Sequence, residues 1–246
     1  MNIALLGYGN MGKEIERKVK EEGKHQIVSI SYKTKKDGLD TNGLSSADVA
    51  IDFTSSEIVL QNIEQVLEMN IPLVVGTTGW YDELSDVTKL VEKTNGALLY
   101  GQNFSIGANI FFQIVTHATS LVDRYNGYDV FGLETHHNGK KDSPSGTTKK
   151  LAEIILRNSS VKQELQTERL DRQIRPDELH FSSVRGGRNF GRHEVVFDSN
   201  ADEIRLMHQA WNRQGFAEGA LLAAKFIKDK KGIYDFASLF QEGVTA

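Results

Sequence analysis

The densest group of chemically useful side chains lies between residues 134 and 147, in the run ETHHNGKKDSPSGT. His136 and Lys140 could take part in proton transfer, because imidazole titrates near neutral pH and the lysine ammonium carries both charge and protons. The proline of this run suits the first turn of a helix, and the serines beside it suit a cap. The backbone N–H groups of Gly146 and Thr147 would then lie at a helix N-terminus, which favours a carboxylate. The segment therefore predicts a site for an acidic substrate with proton donors beside it.

Two other interpretations of this segment stay open. Carboxylate and imidazole side chains are also metal ligands, and the chain offers Glu134, His136, His137, His193 and His208. Neighbouring residues of a strand point to opposite faces, however, which separates His136 from His137, and the spacing matches no helical HExxH motif. We therefore predict no metal site. The other alternative is a solvated polar loop, since most clusters of charge lie at protein surfaces.

A second candidate site lies at the start of the chain, in the run GYGNMG, which matches GxGxxG. In dinucleotide-binding proteins the first glycine allows a tight turn, the second lets a pyrophosphate approach, and the third lets the helix pack closely. The N-terminus of the helix that follows offers unpaired N–H groups to the phosphates. The alternative is an ordinary strand-to-helix turn. The predicted cofactor-binding residues here are Gly7, Tyr8, Gly9, Asn10, Met11 and Gly12.

The stretch that should end the second strand reads SISYKTKK over residues 29–36. It lacks the carboxylate that binds the adenine ribose in many dinucleotide-binding folds, and no acid occurs before Asp37. Ser31 and Lys33 suit a 2′-phosphate better than a bare ribose, because a lysine attracts the phosphate. We therefore predict that NADPH is the preferred cofactor and NADH the alternative. A solvated basic loop would account for the same residues without a ligand.

Two further loops follow the predicted fourth and fifth strands. Doubly wound sheets bind their ligands at this carboxyl end of the strands. The first loop holds Gly76, Thr77 and Thr78, whose backbone could contact the nicotinamide or its ribose. Thr78 could instead cap the next helix. The second loop holds Asn103 and Phe104.

Hydrophobic patterning predicts the elements that would position these residues. In the first part of the chain, amphipathic helices alternate with short apolar runs over residues 3–6, 27–30, 48–53, 72–75 and 97–100. Such alternation is typical of a parallel sheet that helices cover on both faces. This part of the chain is therefore predicted to be an α/β nucleotide-binding domain.

The pattern then changes to that of an inserted α+β domain. A long apolar helix is predicted over 106–122, and strand-like segments follow over 128–137, 180–185, 194–197 and 203–209, with one helix around 151–155 between them. The glycine-rich run 186–191 and the run 198–202 are predicted turns between antiparallel strands. An alanine-rich helix over 216–227 could pack back on the first domain.

Composition excludes several classes of protein. The 246 residues are 39% hydrophobic and 25% charged, which is typical of a globular protein and not of a disordered chain, a collagen-like fibre or a coiled coil. A net charge of −4 argues against a nucleic-acid partner. The absence of cysteine excludes disulfides, thiolate nucleophiles and cysteine-ligated metals. No signal peptide or membrane-spanning run is found, so we expect a cytoplasmic protein with no membrane partner.

Six motifs occur in an order that points to one family. They are GYGNMG, DFTSSE, VVGTTGW, GQNFSIGAN, ETHHNGKKDSPSGT and SVRGGRNFGRH, and the run HQAWNRQGFAEGA extends the likeness towards the C-terminus. Together they resemble the 4-hydroxy-tetrahydrodipicolinate reductase (dihydrodipicolinate reductase) family of lysine and diaminopimelate biosynthesis. The glycine loop is common to many dehydrogenases, whereas the histidine–lysine–PSGT run is very specific.

The resemblance implies an oxidoreductase that reduces 4-hydroxy-tetrahydrodipicolinate to tetrahydrodipicolinate with NADPH or NADH. It implies a Rossmann-type dinucleotide-binding domain over residues 1–104, an inserted substrate-binding and oligomerisation domain over 105–215, and a segment over 216–246 that returns to the first domain. A homotetramer is also implied.

The resemblance also implies roles for individual residues. His136 matches the family's proton donor or acceptor, and Lys140 matches its second proton donor. His137, Gly146 and Thr147 match substrate contacts. The matching cofactor contacts, besides the glycine loop and residues 76–78, are Gly101, Gln102, Asn103 and Phe104.

Two rival functions differ in class from this one. Another amino-acid oxidoreductase on a Rossmann-type domain, such as an aspartate or homoserine dehydrogenase, should lack the histidine–lysine–PSGT run. A regulator that senses NADPH would bind the cofactor without turning over a substrate.

Overall fold

A computed structural model describes residues 1–31, 39–125 and 127–241. The chain divides into two compact units, one formed by Met1–Ile106 with the chain from Arg213 onward, and the other by Gly107–Asn212. The strands are β1 (Asn2–Leu6), β2 (Gln26–Ser31), β3 (Val49–Asp52), β4 (Leu73–Val75), β5 (Ala97–Tyr100), β6 (Asp129–His136), β7 (Glu164–Gln166), β8 (Glu178–Arg185), β9 (Gly191–Asp198), β10 (Glu203–Ala210) and β11 (Gly232–Asp235). The helices are α1 (Asn10–Glu22), α2 (Thr41–Leu44), α3 (Val59–Glu68), α4 (Leu84–Thr94), α5 (Ile106–Val122), α6 (Gly146–Asn158) and α7 (Gln214–Ile227).

The first unit contains a parallel sheet in the order β2-β1-β3-β4-β5-β11. β2 lies on one side of β1, and β3 and the later strands lie on the other side. The direction in which strands are added therefore reverses between β1 and β3. Such a switch point leaves a crevice at the carboxyl ends of its two strands, which is where doubly wound sheets bind ligands. The run GYGNMG begins directly after β1 and therefore lies at this crevice.

Strand residues divide alternately between two hydrophobic layers. Ile3 and Leu5 of β1 share one cluster with residues of α1 and α7, whereas Ala4 and Leu6 share the other with residues of α3 and α4. This alternation follows from the two-residue period of a strand, and it explains why strands covered on both faces are continuously apolar. The predicted doubly wound sheet is confirmed.

The second unit contains a mixed sheet in the order β10-β9-β6-β8-β7, with α5 and α6 packed on one face. The central strand β6 pairs with β8 in parallel and with β9 in antiparallel orientation. The turn over residues 198–202 joins two antiparallel neighbours, as predicted. The prediction for residues 186–191 is wrong in one respect, because β6 inserts between the two strands that this turn joins.

Several short elements were not predicted. They are α2, β7 and β11, together with two 3-10 helices at Tyr81–Glu83 and Phe236–Phe240. β11 extends the parallel sheet beside β5, although its four residues, GIYD, show no clear periodicity. Within the described parts of the chain, no helix combines the length and the hydrophobicity that crossing a bilayer requires.

Candidate active site

The turn after β1 is packed so tightly that two of its glycines have no room for a side chain. Gly7 adopts φ +87°, and a Cβ there would lie 2.4 Å from the Phe53 carbonyl oxygen. A Cβ on Gly12 would lie 2.3 Å from the Gly7 carbonyl oxygen. The turn is also fixed from β2, because the Gly7 N–H donates to the Ser31 carbonyl oxygen at 3.0 Å.

The N-terminus of α1 is open, in contrast to the turn behind it. Gly9 is the N-cap residue, no side chain caps the helix there, and a Cβ on Gly9 would meet nothing within 4 Å. Asn10 is exposed and Met11 half-buried in the first turn, while the Tyr8 hydroxyl donates to Glu16. Backbone N–H groups facing open space at a helix N-terminus fit the pyrophosphate of a dinucleotide.

A buried carboxylate holds the loop that follows β4. The Thr77 hydroxyl donates to Asp52 Oδ1 at 2.6 Å, and the Asn62 side-chain amide donates to Asp52 Oδ2 at 2.7 Å. Burial raises the pKa of Asp52, although these hydrogen bonds oppose the shift. Trp80 donates from its ring nitrogen to the Thr77 carbonyl oxygen at 2.8 Å. The loop that carries Gly76, Thr77 and Thr78 is therefore joined to the end of β3 by hydrogen bonds.

Thr78 itself is exposed and does not cap a helix. The next helical segment, Tyr81–Glu83, has Trp80 at its N-cap position, and α4 has Glu83 there. The capping alternative for Thr78 is therefore wrong.

The loop after β5 offers mainly its backbone to a ligand. Phe104 is buried, and its ring stacks on Phe236 at 4.6 Å between centroids. Gln102 is exposed, and Asn103 accepts a hydrogen bond from the Ser105 N–H at 2.9 Å. Gly101 lies against both residues, because a Cβ there would be 2.8 Å from the Cβ of Phe236 and 3.2 Å from the ring of Phe104.

The residues predicted to bind the 2′-phosphate lie only partly in the described structure. Ser31 is the last residue of β2 and is buried. Lys33 lies outside the described residues.

In the second unit, Ser145 caps α6. Its side-chain oxygen accepts a hydrogen bond from the Thr148 N–H at 3.1 Å. Gly146 is the first residue of the helix, is exposed, and has open space around the position of a Cβ; Thr147 is half-buried. The expectation that Pro144 lies in the first helical turn is wrong, because α6 begins only after the capping serine.

Strand pairing gathers polar residues around Glu134. In the sheet register, Glu134 of β6 lies opposite Ser183 of β8 and opposite His193 of β9. His136 shares the face of Glu134 because it is two residues further along β6, and Arg185 is related to Ser183 in the same way on β8. The burial pattern of β6, in which these alternate positions are covered, agrees with this arrangement.

His136 is held in an almost fully buried position. Its Nδ1 lies 3.5 Å from Glu134 Oε2, and its ring meets that of His193 edge-on at 5.1 Å. Burial, together with the charges of His193, Lys140 and Arg185, lowers the pKa of His136 to about 4, although Glu134 opposes this shift. Its imidazole is therefore neutral at neutral pH.

His137 and Lys140 lie beyond the end of the strand. The His137 N–H donates to the Asn189 carbonyl oxygen at 2.7 Å, and its Nδ1 accepts from the Gly139 N–H at 3.2 Å. Lys140 Nζ forms an ion pair with Asp142 at 2.8 Å. The segment from β6 to α6 thus carries a buried histidine, a lysine paired with Asp142, and a helix N-terminus with open space beside Gly146.

Three of the suggested metal ligands come together, although the sequence spacing did not indicate it. Glu134, His136 and His193 have potential ligand atoms within 4.8 Å of one another, whereas His208 stacks on Phe111. The Glu134 carboxylate already accepts hydrogen bonds from four donor groups, one of which is the guanidinium of Arg185. A cation at this position would therefore have to displace these donors and lie against a guanidinium group.

Ser183 and Arg185 were not singled out from the sequence, and His193 was considered only as a metal ligand. Arg185 donates to Glu134 Oε1 and to the Asp142 carbonyl oxygen, at 2.7 and 2.8 Å. Their i, i+2 spacing places Ser183 and Arg185 on one face of β8, but β8 reads ELHFSSVR, with polar residues on both faces, so the sequence alone does not indicate their partner.

Comparison with known proteins decides the family. The family described as "Dihydrodipicolinate reductase, N-terminus" matches residues 1–104, and that described as "Dihydrodipicolinate reductase, C-terminus" matches residues 107–240. The chain belongs to the dihydrodipicolinate reductase family. The resemblance noted from the motifs is thereby confirmed, and with it an oxidoreductase with a nicotinamide cofactor.

Relatives in the dihydrodipicolinate reductase family match over nearly the whole chain. The 4-hydroxy-tetrahydrodipicolinate reductase of Christiangramia forsetii is 37% identical over 244 residues, which cover 98% of either chain. That of Rickettsia bellii is 35% identical and covers 98% of this chain and 95% of its own. The dipicolinate-bound dihydrodipicolinate reductase from Paenisporosarcina sp. TG-14 shares the fold, with a TM-score of 0.78, 23% identity, and coverage of 97% and 99% of the two chains.

Proposed function

We propose that this protein reduces 4-hydroxy-tetrahydrodipicolinate to tetrahydrodipicolinate, with His136 and Lys140 as its proton-transferring residues. The observation that carries the proposal is the segment from β6 to α6, which combines these two residues with a helix N-terminus that is open at Gly146. Relatives of that name match 98% of the chain, which supports the same activity here.

The chemistry of the substrate explains why such a segment is needed. The substrate is a cyclic imine with two carboxylates and a hydroxyl group. Loss of the hydroxyl as water gives an unsaturated, conjugated imine. A reduced nicotinamide, when bound, supplies a hydride for ring carbon 4. The resulting enamine is electron-rich and must gain a proton on carbon to give the product imine.

The residues of the second unit suit these requirements. The N–H groups of Gly146 and Thr147 would bind one substrate carboxylate through the helix terminus. His137 would contact the substrate, and the Lys140 ammonium would offer positive charge and a proton. Because His136 is neutral at neutral pH, its imidazole can accept a proton at one nitrogen or donate from the other.

A direct assay tests this function. Freshly generated 4-hydroxy-tetrahydrodipicolinate should cause loss of nicotinamide absorbance, whereas aspartate semialdehyde should not. Homoserine, which is already reduced, should likewise cause no gain of absorbance with the oxidised cofactor. Cofactor binding without substrate-dependent oxidation would instead support a cofactor-sensing regulator.

We further propose that NADPH is preferred over NADH. The basis is the sequence after β2, where lysines replace the ribose-binding acid. Lys33→Ala should lower kcat/KM for NADPH and leave that for NADH unchanged, and the effect should shrink at high salt because the charges are screened. Lys24→Ala, in the exposed loop before β2, is the matched control. An unchanged cofactor ratio in Lys33→Ala would contradict this role.

We also propose the domain roles stated above and a homotetramer assembled through residues 105–215. The face of the second sheet opposite α5 and α6 supports assembly, because it presents Phe131 and Leu133 half-buried and Val184 and Met207 about half exposed. A charge placed there, as in Met207→Glu, should reduce the mass measured by light scattering from four chains to fewer.

A further inference from the structure

The carboxylate of Glu134 is surrounded by hydrogen-bond donors. Its side chain is 0% exposed, and it accepts from the Ser145 N–H at 3.1 Å and from the hydroxyls of Thr148 and Ser183 at 2.7 Å each. Arg185 adds a charged hydrogen bond at 2.7 Å. Burial alone would raise the pKa of Glu134, but these bonds, with His193, outweigh it and hold the pKa below the usual range. Glu134 is therefore an anion that joins β6, β8 and α6.

The donors continue from Glu134 as a directed chain. Thr148 has one hydroxyl proton, which it gives to the carboxylate, so it accepts from the Ser145 hydroxyl at 3.2 Å. The single hydroxyl proton of Ser145 is therefore donated to Thr148 and is not available to His193. The contact of 3.1 Å between Ser145 Oγ and His193 Nε2 must then have its proton on the imidazole nitrogen. The sequence of donation is His193 to Ser145 to Thr148 to Glu134.

This hydrogen-bond network links the proposed carboxylate-binding turn of α6 to the strand that carries the proposed proton-transferring residue His136. Ser145 and Thr148 belong to the N-terminal turn of α6, where the substrate carboxylate would bind. His136 follows Glu134 by two residues on the same strand and packs against His193 at the far end of the donor chain. A shift of α6 relative to β6 would thus change the distance between the bound carboxylate and the proton donor.

We propose that Glu134 is a positioning residue, which fixes the N-terminus of α6 relative to the strand that carries His136. The proposal rests on the proposed function, because it concerns how that site is held. Glu134 need not contact the substrate. Without the carboxylate, the buried Ser145 N–H and Thr148 hydroxyl and the partly buried Ser183 hydroxyl lose their acceptor, and the partly buried Arg185 loses its negative partner, which is costly away from water.

The test replaces Glu134 by Gln, which preserves shape but turns half of the acceptor into a donor. In Glu134→Gln the substrate KM should rise and kcat should fall, and kcat/KM should drop by about tenfold to a hundredfold, as for a small misplacement of reacting groups. The dissociation constant for NADPH, measured by its fluorescence, should stay unchanged, because the glycine loop belongs to the other unit. A loss that came only from unfolding would lower the amount of active enzyme and leave the substrate KM unaltered.

Glu178→Gln is the matched control. Glu178 is also a buried carboxylate with arginine partners, on the opposite end of β8 from Ser183 and Arg185. This variant should lose stability and retain the wild-type KM and kcat. Equal kinetics in Glu134→Gln and Glu178→Gln would overturn the positioning role, whereas an inactive wild type would instead overturn the proposed function.

A second variant decides the matter if Glu134→Gln does not fold. Thr148→Val preserves the side-chain volume at position 148 and leaves the Glu134 carboxylate in place. It removes the hydroxyl that links Ser145 to Glu134. It should raise the substrate KM several-fold and leave NADPH binding intact. Wild-type kinetics in Thr148→Val would contradict the proposal.

Discussion

Lys140 and His136 are held in opposite ways although they are proposed to act on the same substrate. Lys140 lies on the loop after β6, where its ammonium pairs with Asp142. His136 is buried at the end of the strand, and its pKa is lowered to about 4. A lysine cation on a loop suits the binding of an anion, and a buried neutral imidazole suits the exchange of a proton.

Removing either side chain should therefore lower turnover and leave cofactor binding intact. Lys140→Ala and His136→Ala should each reduce kcat by about a hundredfold, the usual contribution of a positioned acid or base. Initial rates and NADPH titrations measure the two effects separately. Full activity in both variants would show that the proton donors lie elsewhere.

Gly146 tests the carboxylate site without disturbing the fold. A side chain there would project into open space, so Gly146→Val should change the free energy of unfolding by no more than about 0.5 kcal/mol. The bulk beside the helix N–H groups should nevertheless raise the substrate KM. If the KM stays at its wild-type value, the substrate carboxylate is not bound at the start of α6.

Two glycines near the N-terminus of α1 are needed for different reasons, one for packing of the fold and the other for binding of the cofactor. Gly12 is required by packing, because a Cβ there would overlap the Gly7 carbonyl oxygen at 2.3 Å, whereas Gly9 borders open space. Both lie in the same six-residue run, so they form a matched pair.

Gly12→Ala should lower the free energy of unfolding by about 1 to 3 kcal/mol, as overpacking usually does. Gly9→Ala should keep its stability but weaken NADPH binding, because the methyl group takes the space of the pyrophosphate. Thermal unfolding and NADPH titration of both variants provide the comparison. Tight NADPH binding in Gly9→Ala would argue against this loop as the phosphate site.

The parallel sheet was predictable because its strands are short, buried on both faces and therefore continuously apolar. β7 and β11 were missed because their residues, ELQ and GIYD, do not form the continuous apolar runs that indicated the equally short β3, β4 and β5. His136, Lys140 and Gly146 could be selected by residue type and spacing. Arg185 and Ser183 could not, because their proximity to Glu134 arises from pairing between β6 and β8, which are more than forty residues apart. Local patterning does not encode such a register.

The free energy of unfolding of the whole molecule should depend on pH, because His136 and Glu134 have shifted pKa values in the folded chain. His136 has a pKa of about 4 when folded and an ordinary value of 6.5, so the unfolded chain binds more protons between these limits. Stability should therefore be full above about pH 6.5 and fall as the pH drops towards 4, by up to about 3 kcal/mol from this group. Folding lowers the pKa of Glu134, so its ionised form also stabilises the folded chain. This stabilisation is lost progressively as the pH falls below the ordinary pKa of 4.5, because the unfolded chain then binds a proton more readily.

His136→Asn removes the first of these contributions. Its free energy of unfolding, measured by chemical denaturation from pH 7.5 to 4.5, should fall less steeply than that of the wild type. Parallel curves for the two proteins would mean that His136 titrates normally in the folded state.

The proposed reduction is tested most directly by supplying deuterium from the cofactor in one reaction and from the solvent in another. With NADPH deuterated at the transferable position, the product formed from 4-hydroxy-tetrahydrodipicolinate should carry deuterium on ring carbon 4. In deuterated solvent with ordinary NADPH, the deuterium should instead appear on the adjacent ring carbon that receives the proton. Mass spectrometry and NMR of the product locate both labels. Tetrahydrodipicolinate labelled in this way is the predicted result; absence of product, or transfer of the nicotinamide hydrogen to another carbon, would contradict the proposed reduction.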